Sequence, residues 1–72
     1  MSASDAEAFA EQWKQGQTTR SIVDRKTGKV IGEMTADENR VIRYPHTDTK
    51  TPELHWNLED KTTGINIHVI IK

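Results

Sequence analysis

Seventy-two residues carrying a formal net charge of −1, only 33% of them apolar and none of them cysteine, describe one small domain near the lower size limit for a single unstapled core. The missing cysteines exclude a disulfide framework and a Cys/His structural zinc site, and fit a reducing compartment. The near-neutral balance supplies no global basic field of the kind that draws proteins to nucleic acid, and no run is long and apolar enough for a membrane span or a secretion signal.

The first element in the chain is a helix of about residues 4–15. Ser4-Asp5-Ala6-Glu7 reads as a capping box, Ala6, Phe9, Ala10 and Trp13 recur at helical spacing on one stripe, and Gly16 is a natural stop. The acidic residues Asp5, Glu7 and Glu11 concentrate here against Lys14, leaving the rest of the chain slightly positive. Two strands follow, Thr19 to Asp24 and Lys29 to Met34, around Arg25-Lys26-Thr27-Gly28. The register that sets Asp24 beside Lys29 aligns Val23 with Val30, Ile22 with Ile31 and Arg20 with Glu33. A third strand, Arg40 to Tyr44, ends at Pro45, which cannot donate to a ladder. Pro45 to Pro52 has no periodicity and reads as one long loop. All four glycines are expected at turns.

The last twenty residues carry the strongest pattern. Leu54 to Glu59 and Ile65 to Ile71 both alternate apolar and polar at the two-residue period of half-buried strands, and read as a hairpin. Burying the apolar sets together pairs Leu54 with Val69, Trp56 with Ile67 and Leu58 with Ile65. His55 then falls beside His68 and Asn57 beside Asn66 on the opposite face. The expected fold class is therefore α+β: residues 1–72 as a single small domain, with one N-terminal helix packed on a twisted four- to five-stranded antiparallel sheet spanning about 19–72. The helix covers the Leu54, Trp56, Leu58, Ile65, Ile67, Val69 and Ile71 face. His55, Asn57, Glu59, Asn66 and His68 stay on the open side, over which the Pro45–Pro52 loop is placed to fold.

Two imidazoles and two carboxamides on one sheet face are a surface for chemistry or for a ligand. Histidine suits both proton transfers of RNA cleavage, with a base for the 2′-hydroxyl and an acid for the departing 5′-oxygen, because its ordinary pKa is about 6.5. Neighbouring rings disfavour double protonation, so His55 and His68 give one acid and one base form, with His46 on the loop as the alternative member. Arg43 or Lys50 is placed to hold a phosphate, Asn57 or Asn66 to orient a ring or read a base edge, and Tyr44 to stack a base. A regular strand puts Arg43 and Tyr44 on opposite faces, so one of them belongs to the core. A three-ligand metal site from His55 and His68 with His46 or Glu59 has no spacing signature behind it, and neither a metal nor a cofactor is assigned. A phosphate-cradling glycine loop, a Ser-His-Asp set and a cysteine nucleophile are absent or unsupported.

The stretch Arg43-Tyr44-Pro45-His46 through Pro52-Glu53-Leu54-His55-Trp56-Asn57-Leu58-Glu59 to His68 resembles the small C-terminal toxin domains of bacterial polymorphic toxins, in particular ribonucleases of the barnase, EndoU, colicin and RelE-like group. The helix followed by an antiparallel sheet is similar too. That resemblance implies metal-independent cleavage of RNA in the cytoplasm of a target cell and delivery, by secretion or as the tip of a longer effector polypeptide. It also implies neutralisation by a cognate immunity protein. Met1 would then mark a processing boundary rather than a natural start. The competing expectation is a non-catalytic module of antitoxin, immunity or adaptor type that binds a protein partner through the sheet face or edge, which the near-neutral charge favours. A different enzyme on a similar surface, such as a metal-dependent nuclease, is the third.

Overall fold

A computed structural model describes residues 1–72. One helix, α1 (Ala3–Trp13), precedes five strands, β1 (Thr19–Val23), β2 (Val30–Thr35), β3 (Arg40–His46), β4 (His55–Asp60) and β5 (Ile65–Ile70). The strands form a single antiparallel sheet in the order β1-β2-β3-β4-β5, each paired with its sequence neighbour. This is the expected α+β arrangement. No helix is long and apolar enough to cross a membrane.

The cap of α1 sits two residues earlier than the Ser4 box implied: Ser2 Oγ accepts the backbone N–H of Asp5 at 3.2 Å. The serine-to-acid spacing occurs twice, at Ser2/Asp5 and Ser4/Glu7, and the earlier serine has the extended backbone that a cap requires. Ala6 and Ala10 are fully covered against Ile42, Leu58 and Val69. Two alanines let the helix lie close to the sheet. Phe9, expected on the same stripe, is instead exposed. Trp13 closes the helix end, donating from Nε1 to the Glu59 carbonyl at 3.2 Å and lying 4.2 Å beneath the Arg40 guanidinium. The core is narrower than the alternation suggested, because Leu54 and Ile65 at the ends of the last hairpin are exposed. Trp56 is half-buried, packed against the core and edge-on to Tyr44 with ring centres 5.8 Å apart.

Register departs from expectation in three places. The β4–β5 hairpin keeps its predicted faces but slips by two residues: Trp56 lies opposite Val69, Leu58 opposite Ile67 and Asn57 opposite His68. A slip of two leaves every side chain on its own face, so alternation cannot distinguish it from the expected pairing. Between β1 and β2, Val23 and Val30 pair as expected, but an irregularity between Ile22 and Val23 sets Ile22 opposite Gly32 and Arg20 opposite Met34. Arg20 finds Glu38 rather than Glu33, which accepts from the Thr19 hydroxyl at 2.6 Å and pairs with Lys14 at 3.1 Å. Gly32 is therefore a strand glycine and not a turn glycine. A Cβ there would collide with the Ile42 carbonyl oxygen of β3.

The third departure builds the site. β3 does not stop at Tyr44 but runs through Pro45 to His46, with a shift in register between Arg43, opposite Asn57, and His46, opposite His55. One extra residue in β3 is accommodated there as a bulge, where a proline needs no ladder hydrogen bond.

Candidate functional site: a histidine cluster on the open sheet face

In a regular strand His46 would share the helix-covered face with Ile42 and Tyr44. The bulge reverses its parity, and it pairs with His55 on the open face. Its ring centre lies 4.6 Å from that of His55, and on the other side His68 stacks on His55 at 4.9 Å with planes 24° apart. The three histidines of the chain thus form one row across β3, β4 and β5. The expected meeting of His55 and His68 occurs, along a diagonal rather than directly across the strands.

The loop after β3 closes over this row as expected, and its fold comes from Asp48. Oδ1 of that residue accepts the backbone N–H groups of Lys50 at 2.9 Å and Thr51 at 2.7 Å, an aspartate-nucleated turn. The Asp48 carboxyl is held below the usual carboxylate range, first by the Thr51 N–H, then by the Lys50 N–H and by the His55 and His46 rings, which together outweigh its partial desolvation. Its Oδ2 lies 3.6 Å from His55 Nε2. Thr51 Oγ1 is 3.2 Å from His68 Nδ1.

Beneath the loop His55 is 0% exposed. This corrects the expectation that its side chain stands on an open surface. Its Nδ1 lies 2.8 Å from the Glu53 carbonyl and that of His46 lies 2.7 Å from the Tyr44 carbonyl. A carbonyl only accepts, so both rings carry a proton on Nδ1 and keep Nε2 as the free nitrogen, which in His55 is turned toward Asp48. His55 Nε2 is buried without a hydrogen-bond partner.

Arg43, Asn57 and His68 form a second row, aligned across β3, β4 and β5 on the same face. Arg43 Nε and Asn57 Oδ1 are also buried and unpartnered. Three of the four buried side-chain polar atoms that lack a partner therefore face this one surface, the fourth being Trp56 Nε1 on the helix side. Orphaned buried polar atoms are costly and rare, and their concentration at one place singles this surface out as the candidate site. At the bulge a cavity of about 220 Å³ opens, lined by Lys29, Ile31, Arg43, Pro45 and His46 among others.

Of the remaining expected site residues, Tyr44 lies on the helix side against Trp56, which settles the choice between it and Arg43 and keeps it from the three rings, and its only share in the site is as one wall of the cavity at the bulge. Asn66 is exposed opposite Glu59, one row beyond His68, and touches none of the three rings. Lys50 is exposed on the loop and contributes its backbone N–H. Asp48 and Lys29 carry roles the sequence did not point to. For Asp48 the available signal was His46-Thr47-Asp48, where two residues of spacing on extended chain aim both side chains the same way. For Lys29 there was none, because only the folded sheet brings β2 beside the bulge. Compared with family models, with curated proteins and with solved structures, the chain matches none. The fold and the site define a small α+β domain with a five-stranded meander and a histidine row whose central ring is sealed by an aspartate-anchored loop.

Proposed function

We propose that this chain is a toxin-like endoribonuclease that cleaves RNA at the histidine row. The supporting observation is the convergence, on one otherwise open sheet face, of three imidazoles with unpartnered Arg43 and Asn57 atoms beside a cavity bearing Lys29. In this reading the reacting phosphate lies across the row between the His46 and His68 ends, the cavity takes the neighbouring phosphate of the strand, and Lys29 and Arg43 offset the charge. The 2′-oxygen attacks phosphorus and the bond to the 5′-oxygen breaks, leaving a 2′,3′-cyclic phosphate and a 5′-hydroxyl. The His46 end of the row takes the 2′-hydroxyl proton, and exposed His68 supplies a proton to the leaving oxygen. Direct proton exchange by His55, the role expected alongside His68, does not suit a ring with no exposed surface. His55 is the floor of the site. Asn57 Oδ1, equally buried, belongs to that floor, and no base stacking is assigned to Tyr44, which faces Trp56.

A small cationic patch of this kind is silenced most simply by an acidic immunity protein seated on Lys29, Arg43 and the loop, and such association weakens as salt rises. The test of the catalytic reading is fragmentation of a single-stranded RNA by the purified chain beside H68A and R43A. Both variants should fall at least about a hundredfold in rate with unchanged circular dichroism, consistent with loss of one proton-transfer group or one charge-stabilising group. Intact RNA with the native chain, or full rates in both variants, would overturn the reading.

A further inference from the structure

The side chains of His46, Asp48 and His55 offer three ligand atoms that all lie within 4.8 Å of one another. Each is already prepared for coordination. Both imidazoles are fixed by backbone carbonyls, at 2.7 Å from Tyr44 and 2.8 Å from Glu53, in the tautomer that leaves the Nε2 lone pair free. This is the outer-sphere support that orients histidine ligands in metal sites. The aspartate is anchored through Oδ1 by two backbone N–H groups, which leaves Oδ2 turned toward His55. His55 Nε2 is fully buried, aimed into the cluster and unpartnered. Ligands held about 2.1 Å from a tetrahedral ion stand about 3.4 Å apart. The 3.6 Å between Asp48 Oδ2 and His55 Nε2 already meets that spacing. The remaining contraction falls on His46, at a bulge, and on Asp48, which is 44% exposed on a loop.

We propose that His46, Asp48 and His55 bind one divalent transition-metal ion, of which zinc is the best fit. Two imidazoles and one carboxylate select zinc and its neighbours over magnesium or calcium, which require all-oxygen shells. Three protein ligands leave a coordination position open, and one of them, His46, also lines the cavity bearing Lys29 and Arg43. Asp48 completes the set in place of Glu59 or His68, the partners that the sequence suggested. His68 is on the far side of the His55 ring with its Nδ1 engaged by Thr51. The proposal deepens the ribonuclease reading, on which only its catalytic meaning rests: an ion here occupies the free nitrogen of His46, so the 2′-hydroxyl proton passes to an ion-bound hydroxide in place of that ring, where the sequence led to a metal-independent site.

The test is equilibrium dialysis of the chelator-stripped chain against zinc chloride, with magnesium chloride as the control, read together with thermal unfolding. One zinc per chain, a raised melting temperature with zinc and no uptake of magnesium are expected. D48N and H46A, both at partly exposed positions, should retain the native circular dichroism and weaken zinc binding at least tenfold. No zinc uptake by the native chain, or uptake undiminished in both variants, would overturn the ion site and leave His55 paired with Asp48 alone. RNA cleavage measured on the same stripped and zinc-loaded samples separates the two ideas. Zinc uptake without cleavage upholds the ion and overturns the ribonuclease, whereas cleavage without zinc uptake does the reverse.

Discussion

His55 is the residue whose role changes most between sequence and structure. Its place in an alternating strand made it a surface imidazole, yet a loop with no periodicity of its own seals it. Alternation reports which side of a sheet a residue faces, not what later folds over that side. H55A should therefore cost on the order of 2 kcal/mol or more in urea denaturation, through the void left under the loop. H68A, at an exposed position, should leave the unfolding free energy within about 0.5 kcal/mol of that of the native chain. Equal stability for the two variants would mean that the loop does not seat on His55. Gly32 is the second residue whose meaning was hidden. Its neighbours in sequence look like strand and its neighbour in space is the Ile42 carbonyl, so G32A should destabilise by about 1–3 kcal/mol as β2 is pushed from β3 and Arg43.

At the level of elements, the helix, the hairpins and the split of apolar from polar faces were all legible, because each rests on spacing within one segment. Pairing between segments was not. A two-residue slip between β4 and β5 preserves every face, and nothing local forbids it. The bulge at Tyr44-Pro45 was missed for the opposite reason: proline was read as the end of a strand, whereas the structure uses it where no donor is needed and gains a reversal of parity. Deleting Pro45 should restore regular alternation, carry His46 to the helix side and abolish both zinc uptake and RNA cleavage, while the far-ultraviolet circular dichroism still reports a sheet. Retained zinc uptake in that deletion would show that His46 does not owe its position to the bulge.

The molecule as a whole is held by a small core of two alanines, Ile42, Leu58 and Val69, so carboxylates at its turns bear visibly on stability. Asp37 is held below the usual carboxylate range chiefly by the Thr35 hydroxyl, and Asp60 chiefly by the Thr62 hydroxyl with Arg40 nearby. Each contributes stability above its ordinary pKa and loses it as pH falls through the lowered folded value, because the unfolded chain then binds the proton more readily. The urea midpoint should accordingly be flat above about pH 5 and decline below about pH 4. D60N should be less stable at neutral pH and show a shallower acid decline; an equally steep decline would remove Asp60 from the account. Fold class was visible from the whole chain because one helical stripe followed by alternating segments admits few layered solutions. The candidate site was half visible: the sequence pointed to the three histidines that the fold brings together, but the loop acid and Lys29 join them only through folding. The central claim, that this surface cleaves RNA through its own 2′-hydroxyl, is tested most directly by the chemical ends of the fragments that the purified chain releases from a defined single-stranded RNA. Fragments with 2′,3′-cyclic phosphate and 5′-hydroxyl ends are expected; fragments ending in 5′-phosphate and 3′-hydroxyl, or RNA left intact, would contradict that claim.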